Sequence, residues 1–569
     1  MFNYQPVVKA KAGPYYGAAL VGTYSVVIGW NFDDISLKKG LLGFAIKRTE
    51  WDNESGEIIE QRWLGGYKRF KDFDPGHVND VGSLTAPFQR FRWNDYTLNH
   101  RRSYRFEVYP MRGKPGALTR KEKPLVFEFS PTVEDDGKLG VYVNRGVTAA
   151  KAYFDRFRDI APKDVLPPNA AYRWLSRGLK ESLIDFIEST RPGDSLHLAV
   201  YEFFDHEIAT LLKKTNRRGV DVKIIHDAKE GKNSTEESRH VVSEIKIKSI
   251  VRERNTVAIS HNKLAIHTRN GKPIKAWSGT ANLSENGFNY QTNAALVIRD
   301  KETVLAYEDY FLNLWKNPSK SESKIFNQAL MDRINSSGST FVSKRFFSPI
   351  KKQKIIETSV DLIENAKSLV LISGPFGIHK DMAVALNRNR VHIIEYGLVN
   401  STAKNKVKDL RNKATRFYPP NKLETYHGER WDAKAFGAHK IHSKFIVVDP
   451  FSETPRVLFG SANFSKNSCT ENDENAILIE GDKRLAAILA TEYMRMHDHY
   501  KSRFYIRRTA EANKKIRKEN RALKKAGKPL KPLIRLEYHL ETSQKWSDTA
   551  FKPRSNSHKY SDRLAFSGN

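Results

Sequence analysis

Two pairs of basic side chains sit in matching surroundings in the two halves of this chain. His261-Asn262-Lys263 is followed by Gly279-Thr280-Ala281-Asn282, and His442-Ser443-Lys444 by Gly460-Ser461-Ala462-Asn463. An imidazole can attack or give up a proton near neutral pH, an ammonium group holds anionic oxygen, and a carboxamide donates hydrogen bonds. Within each triplet the His and the Lys are two positions apart on what reads as a strand, so a period of two puts both on one face. Facing one another, the two copies would bring two imidazoles, two ammonium groups and two carboxamides to one point. That point suits a phosphodiester.

A lone His-x-Lys carries little information in a chain with 96 Lys and Arg among 569 residues, and His499-Tyr500-Lys501 is such a chance triplet. The other two are set apart by what surrounds them: an apolar strand after the Lys, a Gly-Ser/Thr-Ala-Asn turn, and a second apolar strand. They also recur in register with a repeat in the predicted elements.

In the first half, apolar Leu179, Leu183, Phe186 and Ile187 mark one face of a helix, and Ser195 to Tyr201 reads as a buried strand. A helix over Glu207–Arg218 stopped by Gly219 and a strand over Val220–Ile225 follow. The second half repeats the order with a helix over Ile355–Ala366, a strand over Leu369–Ser373, a helix over Asp381–Asn387 and a strand over Val391–Tyr396. Strands Ala294–Ile298 and Ala476–Glu480, and closing helices Glu302–Trp315 and Lys483–His497, complete the correspondence. Strands alternating with helices imply a sheet covered by helices, here present twice.

Residues 1–150 follow a different rhythm. Ser25–Trp30, Leu42–Lys47, Tyr104–Tyr109 and Leu125–Phe129 alternate in the β manner between Gly, Pro, Asn and Asp turns. Trp30 and the Tyr104-x-Phe106-x-Val108 run resemble the core tryptophan and the tyrosine-corner strand of immunoglobulin and fibronectin modules. Beyond residue 501 the chain turns very basic, with a helix expected over Thr509–Lys525 and stopped by Gly527 and Pro529. Trp546, Phe551, Tyr560 and Phe566 are expected to pack the final segment back onto the body.

Composition narrows the partners and the compartment. The formal charge of +31 favours a polyanion, either nucleic acid or an anionic membrane lipid. Cys469 is the only cysteine, so an internal disulfide and a thiolate zinc site are both excluded. No apolar run approaches the roughly 20 residues of a spanning helix, and the opening MFNYQPVVKA lacks the pattern of a secretory leader. A cytoplasmic location is expected, without cofactor or metal. No phosphate loop, dinucleotide-binding glycine pattern or nucleophile elbow occurs.

The duplicated constellation resembles the paired His-x-Lys motifs of the phospholipase D superfamily. The second copy is the closer, with His442, Lys444, Asp449, the Gly-Ser-Ala-Asn turn and Glu474; the first has Thr268 at the place of Asp449. As a whole the chain is similar to uncharacterised bacterial phospholipase D-like domain-containing proteins. The resemblance implies an α/β fold of two phospholipase D-like lobes with pseudo-twofold symmetry and one site between them, so that a monomer suffices, behind an all-β immunoglobulin- or fibronectin-like sandwich. It divides the chain into the sandwich at 1–150, a first lobe at 151–320, a connector at 321–350, a second lobe at 351–502 and a basic extension at 503–569.

The resemblance also implies metal-independent cleavage or exchange of a phosphodiester through a covalent phosphohistidine. One neutral imidazole attacks phosphorus while the other, protonated, serves the leaving oxygen, and Lys263, Lys444, Asn282 and Asn463 bind the non-bridging oxygens. Carried over from the family, Glu474 reaches across to orient His261, which makes His261 the nucleophile and His442 the acid. Gln291 or Thr292, both uncharged, would stand opposite His442. Glu202 is expected to make a structural hydrogen bond. The resulting expectation is a nuclease. The alternatives are a phospholipase D that hydrolyses or transphosphatidylates lipids, and a nucleic-acid-binding protein with a degenerate site.

Overall fold

The computed structural model of the chain describes residues 2–66, 68–71, 81–336, 341–388, 393–401, 415–418, 440–534, 539–553 and 558–568. It forms two compact units: Met1–Val133 with Arg390–Ile394 and Ala487–Asn569, and Glu134–Asn389 with Glu395–Ala486.

The first unit is built on two antiparallel sheets. One has the order Val7–Ala12, Tyr15–Val21, Val26–Asn31, Arg92–Asp95. In the other, Arg102–Lys114 and Leu41–Asp52 are central, flanked by Ala117–Thr119 and Ile58–Trp63, with Leu125–Phe129 also paired to Arg102–Lys114. Period-two alternation buries Tyr104, Phe106 and Val108 and turns Arg105 and Glu107 outward. Those apolar side chains share one core with Tyr15, Val26, Ile28 and Trp30 of the first sheet. The Tyr104 hydroxyl accepts from the Asn99 backbone N–H at 2.9 Å.

The C-terminal segment completes that core. Trp546 lies in it, stacks on Phe91 at 5.4 Å and donates to the Leu41 carbonyl, and Phe551 packs on Phe32 at 5.0 Å. The Phe566 backbone passes so close to Gly29 that a Cβ there would lie 2.1 Å from its carbonyl oxygen. Where the sequence suggests two helices, at 483–497 and 509–525, the structure has one, Lys483–Lys525. The intervening residues contain no Gly or Pro, and Tyr500 is buried, so nothing interrupts the i→i−4 ladder.

The second unit holds two seven-stranded sheets with the same strand order. In the first half it runs Leu139–Val143, Ala294–Ile298, Lys272–Gly279, Lys263–Arg269, Ser195–Val200, Asp221–Asp227, Val251–Arg254. In the second half it runs Val342–Ser348, Glu474–Glu480, Arg456–Gly460, Phe445–Val448, Leu369–Ser373, Ile394–Leu398, Thr415–Tyr418. Val391 and His392 of the strand expected at 391–396 lie outside the described residues. The strand Leu139–Val143, within the stretch read from sequence as sandwich, pairs with Ala294–Ile298 in the first-half sheet. Helices such as Leu179–Glu188, His206–Arg217 and Lys354–Glu364 cover the sheets with their apolar faces. Among the described residues no helix is long and apolar enough to cross a membrane.

Candidate active site

Neither histidine lies within its strand, contrary to the sequence reading. His261 and His442 stand just ahead of Lys263–Arg269 and Phe445–Val448, on extended backbone whose pairing goes to the other half. Ser260 bridges Asp473, and Ile441 bridges Thr292, both in parallel sense. The His261 N–H donates to the Asp473 carbonyl at 2.9 Å and the His442 N–H to the Thr292 carbonyl at 3.1 Å. Each lysine then turns back on its own triplet: Lys263 Nζ donates to the His261 carbonyl at 2.7 Å and Lys444 Nζ to the His442 carbonyl at 2.5 Å. The backbone that carries each imidazole is therefore held from both sides.

These exchanges bring the two triplets together. His261 Nδ1 is 2.8 Å from Glu474 Oε2, across 213 positions of sequence. His442 Nδ1 is 3.0 Å from Asn293 Oδ1. The partner acids and amides are themselves held alike, since Ser461 Oγ donates to Glu474 Oε2 at 2.7 Å and Thr280 Oγ1 to Asn293 Oδ1 at 2.7 Å. The Ser or Thr of each Gly-Ser/Thr-Ala-Asn turn thus fixes the group that orients the opposite histidine.

Asn293, and neither Gln291 nor Thr292, is the counterpart of Glu474, which corrects the sequence assignment. The signal was a count: Asn293 and Glu474 each lie fourteen residues after the first glycine of their turn, Gly279 and Gly460. Gln291 and Thr292 do belong to the loop, and Thr292 provides the carbonyl that holds His442.

The electrostatics are those of a cluster of cations removed from water. Lys263 is fully buried, and burial pushes its ammonium from 10.5 down to about 8. Lys444 lies well below the ordinary lysine range because of burial and then the charge of Lys263. Burial, then Lys263 and Lys444, hold the His261 imidazole well below 6.5. For His442 the order is burial, Lys444 and Lys263. Burial raises Glu474 to about 7 against the pull of both lysines. Each imidazole therefore feels the ammonium of both halves, which together with burial disfavours the charged form of either ring.

The carboxamides differ between the halves. Asn282 Nδ2 donates to Glu202 Oε2 at 2.6 Å, and because a carboxylate only accepts, this contact fixes which way the amide faces. Asn282 Oδ1 and Asn463 Oδ1 are buried without a hydrogen-bond partner. Glu202 is raised by burial, against Asn282 and the charges of Lys263 and Lys444, which places its carboxylate within the site's field. Phe376, 56% exposed, lies in the turn that follows Leu369–Ser373, as Tyr201 and Glu202 follow Ser195–Val200 in the first half. Its ring lies edge-on to His442 at 6.2 Å, while Tyr201 lies 5.2 Å from His261. Sequence reasoning missed Tyr201 and Phe376, since neither belongs to a motif and only strand pairing brings them in.

Asp449 has no part in this cluster. Its carboxylate accepts from the backbone N–H groups of Lys367, Ser368 and Leu369 and so fixes the entry to Leu369–Ser373. Thr268 cannot do this. In the first half Asp194, at the entry to Ser195–Val200, instead takes His267 Nε2 at 2.8 Å together with Arg269, and a bulge separates His267 from Thr268. Among the described residues no group of three His, Cys, Asp or Glu side chains is placed to share a metal ion.

Residues 183–315 and 359–497 match the family model described as cardiolipin synthase, phospholipase D-like domain. No curated protein matches the sequence. Among solved structures, the chain is similar to polyphosphate kinase from Porphyromonas gingivalis, at 13% identity and TM-score 0.36, over 54% of this chain and 46% of that one, so it spans less than half of that protein. It is also similar to phosphatidylserine synthase from Haemophilus influenzae, at 14% identity and TM-score 0.39, over 57% of this chain and 85% of that one. A third similar structure is yeast tyrosyl-DNA phosphodiesterase, at 15% identity and TM-score 0.31, over 52% and 85%.

Proposed function

Because the duplicated domains at 183–315 and 359–497 make this chain a member of the phospholipase D superfamily, we propose that it is a phosphodiesterase working through a phosphohistidine, with nucleic acid as its substrate. The observation that carries the order of roles is the unequal pairing of the two imidazoles. Glu474 on His261 Nδ1 holds the proton there, leaves Nε2 as the lone-pair nitrogen and makes it more nucleophilic. The neutral Asn293 on His442 Nδ1 fixes that ring equally well without holding charge on it, which suits a group that must release a proton.

In the first step His261 Nε2 attacks phosphorus, the P–O bond to the leaving group breaks, and His442 gives its proton to the departing oxygen. In the second, His442 takes a proton from water, the hydroxide oxygen bonds to phosphorus, and the P–N bond breaks. Lys263, Lys444, Asn282 and Asn463 hold the non-bridging oxygens in both steps. A bound phosphodiester anion also raises the proton affinity of His442, countering the two lysines. Hydrolysis rather than exchange follows when water is the second acceptor.

The choice of nucleic acid over phospholipid rests on the surplus of 31 positive charges. Trp30 in the core of the antiparallel unit and the Tyr104 hydroxyl bonded five residues upstream support reading that unit as an immunoglobulin- or fibronectin-like domain. The test is to offer the purified protein, in EDTA, single- and double-stranded DNA, RNA and phosphatidylcholine vesicles, and to quench the reactions in alkali. Acid-labile phosphate on histidine in the wild type and in His442→Asn, but not in His261→Asn, is expected. Head-group release with no nucleic-acid cleavage overturns the substrate, and labelling that survives in His261→Asn overturns the assignment of the nucleophile.

A further inference from the structure

The distal end of the long helix carries a dense run of cations. From Arg507 to Lys531 there are eleven Lys and Arg against two Glu. All eleven cations are exposed. From Lys514 to Lys525 the seven cations cover about half of the helix circumference, and a strap closes the other half. After the turn at Gly527 the chain returns along the helix, and two asparagines spaced two turns apart clasp its backbone. Asn520 Nδ2 donates to the Lys531 carbonyl and its Oδ1 accepts from the Lys531 N–H, both at 2.8 Å. Asn513 does the same with Ile534, at 2.7 and 2.8 Å. Within 511–525, partial burial is confined to Ala512, Asn513, Ile516, Asn520 and Leu523, the face beneath the strap.

That clasp fixes which way the rest of the helix faces. At 3.6 residues per turn, Lys514, Lys518, Arg521 and Lys525 fall within a sector of about 60°, centred about 150° from the strapped face. They form a straight stripe about 16 Å long, since the rise is about 1.5 Å per residue. Among the described residues none of the four has a carboxylate partner, whereas Lys531 is paired with Glu519 and Arg507 with Glu511. Four unpaired cations in a line match the closely spaced charges of a nucleic-acid backbone.

The same geometry weighs against a lipid surface. The exposed aliphatic side chains here, Leu530, Leu533 and Ile534, belong to the strap, on the far side of the helix from the stripe. A membrane-binding helix needs cations and apolar groups directed at one plane. We infer that the stripe Lys514, Lys518, Arg521 and Lys525 binds the phosphate backbone of a DNA duplex without regard to sequence, independently of the chemistry at His261 and His442.

The experiment measures binding of a 24-base-pair DNA duplex by fluorescence anisotropy across a salt series, in the His261→Asn background so that the duplex stays intact. Changing the four residues to Gln is expected to weaken binding at least about tenfold at 0.1 M salt and to lower the slope of log Kd against log salt by about 3 to 4. Changing the three lysines to Arg should preserve both. In the otherwise wild-type protein the four Gln substitutions should leave hydrolysis of bis(p-nitrophenyl) phosphate and the far-ultraviolet circular dichroism unchanged, which separates a failure of the stripe from a failure of the active site. Unchanged duplex affinity and salt slope overturn the inference. So does unchanged duplex binding accompanied by lost binding to phosphatidylserine-containing vesicles.

Discussion

Lys263→Met should make this protein more stable while nearly abolishing its activity. Lys263 is fully buried, and its ammonium group is depressed from 10.5 to about 8 by burial. The gap corresponds to a penalty of about 3 kcal/mol on the folded state at neutral pH. The sign follows from proton binding: between about 8 and 10.5 the unfolded chain holds the proton that the folded chain has lost, so this contribution to stability rises with pH through that window, and below it the full penalty applies. Methionine keeps the stem and removes the charge, but leaves the His261 carbonyl without its 2.7 Å donor, a loss of about 1 to 2 kcal/mol. The net gain is about 1 to 2 kcal/mol. Scanning calorimetry at pH 7 should register it as an upward shift of about 1–3 °C in the transition of the lobes.

Turnover of bis(p-nitrophenyl) phosphate should fall by about 10²–10³, the usual cost of removing one donor to a developing oxyanion. Tungstate, as a phosphate mimic, should raise the wild-type midpoint more than that of the variant, because ligand that binds only the folded state stabilises it by mass action. A lower midpoint for Lys263→Met would refute the reasoning, since the buried ammonium would then be a net support of the fold and not a charge held in place for an incoming anion.

Two further outcomes follow from the same geometry. His442 is held below 6.5 by burial and by Lys444 and Lys263, so its acidic form is lost as pH rises through a value below 6.5. For a dinucleotide, whose alkoxide leaving group needs that proton, kcat/KM should already be falling with pH at 6.5, whereas bis(p-nitrophenyl) phosphate should be nearly indifferent; a dinucleotide profile that climbs from 6.5 to 7.5 would contradict this. Arg254 and Asp473 form a fully buried ion pair, Nε to Oδ2 at 2.8 Å, next to Glu474 in sequence. Arg254→Met should therefore cost about 3–5 kcal/mol in thermal unfolding, and adding Asp473→Asn should recover part of it; a double variant no more stable than the single one would show that the stranded carboxylate was not the cause.

The repeated succession of helices and strands and the two matching triplets were legible because they are local patterns recurring at a fixed spacing. Leu369–Ser373 and Ala294–Ile298 fall where their apolar runs begin and end. What local pattern could not supply was any feature owed to pairing across the halves. His261 and His442 read as strand residues because the triplet alternates, yet their N–H groups go to Asp473 and Thr292 and not to a neighbour in their own sheet. Glu202, Tyr201 and Phe376 have no motif at all; they come near the site because they follow Ser195–Val200 and Leu369–Ser373, the strands paired with Lys263–Arg269 and Phe445–Val448. The long helix was split in reading because its character changes from buried to cationic near residue 503, a change of surroundings and not of backbone.

The reciprocal bridges Ser260 to Asp473 and Thr292 to Ile441 mean that each half anchors the histidine of the other. Cutting the polypeptide between the repeats and producing the pieces apart would give two inert fragments, each with an imidazole whose main chain has lost its anchor and whose ring has lost its orienting neighbour. Mixed, they should regain turnover together and in proportion to their reassociation, as a lock does when both keys are in.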